Sequence, residues 1–70
     1  MGWCSGDRIC AETWMEVRSY LPDEIRKDVL KRLIRIFEHH DMDCYDHIME
    51  TPEGEQALKE LRPHWFENPT

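Results

Sequence analysis

The sequence predicts an all-α fold, a compact bundle of three to four short helices. Apolar residues recur at spacings of three and four along the chain, no stretch alternates as a half-buried strand does, and proline or a polar break closes each apolar run. Seventy residues leave room for one small core, because a domain usually takes roughly 150. So small a core is barely sufficient alone, which favours a partner, a metal or self-association as added support.

In the first helix, expected near residues 7 to 20, Ile9, Cys10, Thr13, Trp14, Val17, Tyr20 and Leu21 fall in an arc of about 140° at 100° per residue. Ser5 is placed to cap it, Asp7 suits the positive end of its dipole, and Pro22 ends it by forcing Leu21 out of the α region. Pro22-Asp23-Glu24 then starts a second helix that should reach about His39. Its apolar residues Ile25, Val29, Leu30, Leu33, Ile34, Ile36, Phe37 and His40 span about 180°, more than one neighbour can cover. The opposite side carries Lys27, Lys31, Arg32 and Arg35, balanced in part by Glu24, Asp28 and Glu38.

The run His39 to Cys44 breaks the period, and Asp41 or Asp43 can cap a short third helix in which Tyr45, Ile48 and Met49 share a face. Thr51-Pro52-Glu53 reads as an N-cap, a first-turn proline and an acid, starting a fourth helix near 52 to 61 with the thin stripe Ala57, Leu58 and Leu61. Trp65 or Phe66 should close one end of the core. The expected core is Ile9, Trp14, Val17, Ile25, Val29, Leu33, Ile36, Phe37, Ile48, Leu58 and Leu61.

Charge is uneven. Residues 1 to 37 hold six acids and seven bases, whereas residues 38 to 70 hold nine acids and two bases, within a net charge of −6. The acidic half repels phosphate, and acids interleave with the bases of the second helix with no aromatic among them, so direct nucleic-acid binding is not expected. No apolar run approaches the ~20 residues of a membrane span. Position 6 is glycine where a myristoylation signal needs serine or threonine. Three cysteines, Cys4, Cys10 and Cys44, with no leader-like N-terminus, favour free thiols in a cytoplasmic protein over a disulfide framework.

No motif names a reaction. Zinc would need Cys4, Cys10, Cys44 and His40 or His47 to gather after folding, since paired knuckle spacings are lacking. Small core cysteines explain the same residues, so no cofactor is expected. An EF-hand from Asp41 fails, because its sixth position is Asp46 and its twelfth Pro52. Cys44 and His47 offer a nucleophile and a base but no oxyanion hole, and enzymatic activity is not expected.

Protein recognition is the leading reading, through Leu30 and Ile34 at one edge of the second helix's arc, Lys27 and Lys31 beside them, and Asp43 and Asp46 in the acidic half. Leu30 and Ile34 should stay exposed in a monomer and could meet their copies across a two-fold axis, making a homodimer. A zinc-stabilised structural domain is the alternative. Met1-Gly2-Trp3 leading to Gly6-Asp7-Arg8, Trp14, Tyr20-Leu21-Pro22 and Phe37-Glu38 followed by Asp41-x-Asp43-Cys44 resemble small uncharacterised proteins encoded by phages and prophages. The resemblance covers residues 1 to 47 and assigns no activity. It implies a role in binding and disabling or redirecting a host protein, as a modulator or inhibitor.

Overall fold

The computed structural model describes residues 2 to 66 and is all-α, with no strand among them. The first helix, α1, is Gly6–Val17, followed by a single 3₁₀ turn Arg18–Tyr20. The second, α2, is Asp23–His39; α3 is only Asp46–Met49; α4 is Gly54–Leu61, and a 3₁₀ turn Pro63–Phe66 follows.

Proline and the polar breaks end the helices where the sequence puts them, but three caps work differently: Ser5 stands at the N-cap of α1 without a side-chain bond to it. Thr51 does not cap α4: its hydroxyl donates to the Ile48 carbonyl at 2.6 Å, tying off the end of α3, and α4 starts two residues later than Pro52. A Cβ on Gly54 would lie 1.6 Å from that same Ile48 oxygen, so only glycine lets α4 start so close to α3. At the end of α2, Asp41 takes the left-handed conformation, with φ 72°. Asp41 N–H bonds Glu38 O and Met42 N–H bonds Phe37 O, which is the Schellman arrangement, and it turns Met42 into the core.

α1 packs on α2 and α3, and α4 packs on α2 and α3. The core is Cys10, Ala11, Trp14, Leu30, Ile34, Met42, Ile48, Ala57 and Leu58, with Leu21, Val29, Leu33, Phe37, Tyr45, Leu61 and Phe66 packed at its margin. Trp14, Ile48 and Leu58 are where the periodicity puts them. Ile9, Val17, Ile25 and Ile36, expected inside, are exposed. In α1 the inward face is rotated toward Asp7 and Ala11, where α3 docks.

In α2 the arc has the expected width but the opposite edge is buried. Leu30 and Ile34, expected to stay exposed, are both 0% accessible, while Ile25 and Ile36 are 42% and 57% accessible. The reason lies in α4, which docks on the lysine flank of α2. Lys27 Nζ lies 2.5 Å from Glu60 Oε2, and Lys31 Nζ donates to Glu60 Oε1 at 2.7 Å. Arg62 Nη2 reaches both Glu38 oxygens at 2.9 Å, and Tyr45 donates to Glu38 at 2.6 Å. These partly exposed pairs each add little, and they accompany the burial of Leu30 and Ile34 on the side of α2 that α4 covers. The molecule measures 39 × 29 × 18 Å, about two helices thick, so one side of the broad arc stays in solvent.

Candidate functional site

Ile25, Val29, Arg32 and Ile36 follow one another at spacings of four, three and four along α2, which keeps them on one line of the helix. Val29 is half-buried at the core margin and the other three are exposed. Arg35 stands beside Arg32, and neither has a carboxylate within 4.0 Å among the described residues, although the chain as a whole is acidic. Shallow clefts of about 290 Å³ and about 260 Å³ flank Ile36, the first lined by Trp3, Phe37 and His40, the second by Arg35, His39 and His40. The result is a ridge of branched apolar side chains crossed by cationic heads.

Of the residues expected to bind protein, Leu30 and Ile34 are core and so cannot form a dimer contact, and Lys27 and Lys31 are held by Glu60. The two ammonium groups in turn push the Glu60 carboxyl down to about 2. Asp43 and Asp46 are exposed, on the loop before α3 and at its first position. The outer line of α2 was legible as a four-three-four spacing, but an apolar arc of 180° contains several such lines.

The cysteines correct a second expectation. Cys4 and Cys44 form a disulfide across forty positions, with Cα atoms 4.8 Å apart, and only Cys10 is free and buried. Folding brings the turn before α1 onto the loop after α2, a proximity no local spacing records. Burial, with Asp7 nearby, pushes the Cys10 thiol up to about 12, so it is an inert core residue. The four-ligand zinc set is not assembled: among the described residues the atoms that converge are those of Cys4, Asp43 and Cys44, without Cys10, His40 or His47. The nucleophile–base pairing of Cys44 with His47 is not formed either.

His47 is engaged elsewhere. Its backbone N–H donates to Asp7 Oδ2 at 2.9 Å and its Nδ1 lies 3.1 Å from the same oxygen. Burial opposes the charge on Asp7, but the bonds from His47 outweigh it and hold the carboxyl below its usual range. Asp7, read in the sequence only as a dipole partner of α1, thus caps α3 from forty residues away. The exposed imidazole borders an open cleft of about 530 Å³ lined also by Arg8, Met15 and Pro52. The hydroxyl on that cleft, Thr51, is committed to Ile48 O, and Glu12, Glu16 and Glu50 also line it.

No family model matches the chain, and neither a curated protein nor a solved structure does. Among the described residues no helix is long and apolar enough to cross a membrane.

Proposed function

We propose that this chain is a non-enzymatic protein-binding module that docks the outer line of α2 against an acidic amphipathic helix of another protein. The observation that carries the reading is the stripe Ile25, Val29, Arg32 and Ile36, whose spacing suits helix-on-helix packing and whose arginines have no acidic partner among the described residues. Charge selects the occupant. A second copy laid on this stripe would add two more arginines without carboxylate partners to the same face, whereas a carboxylate opposite Arg32 and Arg35 complements them. The resemblance of residues 1 to 47 to phage-encoded proteins makes a host protein the partner class.

Affinity capture with the wild-type chain and with Arg32→Glu and Ile36→Glu tests the reading, since both residues are exposed and neither change disturbs the core. The expected result is a protein that survives nuclease treatment, is lost from both variants and is released by salt. Retention unchanged in both variants, or retention of nucleic acid in place of protein, overturns it.

A further inference from the structure

The N-terminal segment is clamped to the stretch after α2 at several points besides its disulfide. Trp3 N–H donates to Asp41 O at 2.6 Å, and the Trp3 ring stacks on Phe37 with centroids 5.8 Å apart. Beyond Cys4, Asp7 receives both the N–H and the Nδ1 of His47. Gly2 lies so close to Asp43 that a Cβ on it would fall 1.6 Å from Oδ2. These contacts bracket Cys4 and Cys44 on both sides, so breaking the sulfur–sulfur bond removes one tie among several and leaves the two side chains facing each other. The ligand atoms of Cys4, Cys44 and Asp43 all lie within 4.8 Å of one another. Cys4 and Asp43 are exposed and Cys44 is half-buried, so the donors are open to solvent.

We infer that the reduced protein binds a zinc-class divalent cation at Cys4, Cys44 and Asp43. Disulfide and metal are alternative states of the same two sulfurs. A dithiol or glutathione-class thiol supplies two electrons: the Cys4–Cys44 bond breaks, each sulfur takes a proton to become a thiol, and the reductant departs as its own disulfide. Cation binding then expels both thiol protons, and two metal–thiolate bonds form alongside one to the Asp43 carboxylate. Zinc–sulfur bonds of about 2.3 Å at a tetrahedral angle put the sulfurs about 3.8 Å apart, a separation that side-chain rotation reaches from the bonded pair. Two thiolates select a soft cation over magnesium or calcium, and the net charge of −3 on the three donors is largely offset by the dication. Three protein ligands leave the fourth position to solvent, so the site exchanges its metal more readily than a closed four-residue site.

The test is titration of Co²⁺ into the whole chain, reduced anaerobically with a phosphine, reading the near-ultraviolet thiolate-to-cobalt absorption together with far-ultraviolet circular dichroism. One equivalent of cobalt bound by the reduced chain, displaced by zinc, is expected, with none bound by the disulfide form. Cys4→Ser and Cys44→Ser should each abolish the band, Asp43→Asn should weaken binding by roughly tenfold or more, and Cys10→Ala should leave it unchanged. The inference is overturned by a reduced chain that gives no band, by a band that survives either serine variant, by undiminished affinity in Asp43→Asn, or by loss of helical signal on reduction, which would show that the flanking contacts do not hold the thiols in place.

Discussion

The indole Nε1 of Trp14 donates to Glu53 Oε1 at 2.9 Å across thirty-nine positions, and the same oxygen receives Arg18 Nε at 2.9 Å. Trp14 is fully buried, so its one polar atom is satisfied by the residue that opens α4. The pair joins the end of α1 to the start of α4, two elements that each pack on α2 and α3.

Glu53→Leu should therefore cost about 2–3 kcal/mol, because it leaves the indole N–H unpaired in the core and strands Arg18. Glu53→Gln keeps an acceptor for Trp14 and should cost about 1 kcal/mol. Urea denaturation of the two variants checks this, and equal losses would mean that the tryptophan bond contributes nothing beyond the ion pair.

The burial of α2 makes opposite demands on residues two positions apart. Leu30→Ala and Ile34→Ala should each cost about 2–5 kcal/mol by opening a cavity. Ile36→Ala should stay within about 0.5 kcal/mol. Thermal unfolding of the three variants reads the order directly, and a larger effect at Ile36 would mean that α2 packs by its other edge.

Asp7, Glu53 and Glu60 all titrate below their ordinary values, Asp7 and Glu60 through His47 and the Lys27–Lys31 pair, and Glu53 through Arg18 and Trp14. A depressed folded pKa means stability that is complete above the unfolded value and is lost as pH falls through the folded one. For Glu60 that window runs from 4.5 down to about 2. Stability should therefore be flat between about pH 5 and about pH 8, fall steadily below that range, and fall above it as the buried Cys10 thiol and Tyr45, both raised to about 12, ionise more readily in the unfolded chain. Asp7→Asn should flatten part of the acid fall while lowering stability at neutral pH. Chemical denaturation at several pH values measures it; an unchanged acid slope in Asp7→Asn would remove His47 as the cause.

Two glycine exchanges should act in opposite directions. Asp41→Gly relieves a left-handed residue at the end of α2 and should gain up to about 1 kcal/mol. Gly54→Ala drives a methyl into the Ile48 carbonyl and should cost about 1–3 kcal/mol, because backbone cannot swing aside as a side chain can. Melting temperatures of the pair decide both, and a neutral Gly54→Ala would show that α4 can start farther from α3.

The sequence by itself determined what depends on neighbours a few positions apart: an all-α chain, the span of α2, the stop at Pro22 and the inward places of Trp14, Ile48 and Leu58. It also set the width of α2's apolar arc, and with it the expectation that some of that arc would lie open. Only the tertiary structure decided which edge. Helical period treats Leu30 and Ile25 alike, and it took α4, some thirty positions downstream and bonded to one flank through Glu60 and Arg62, to cover that edge and leave Ile25 and Ile36 in solvent. The same holds for the Cys4–Cys44 bond, for Asp7 on His47 and for Thr51 turned back on α3. Each of these residues has several partners compatible with its local sequence and packing selects one; for Asp7 and Thr51, both buried, a polar group left without a partner costs more than any local preference can return.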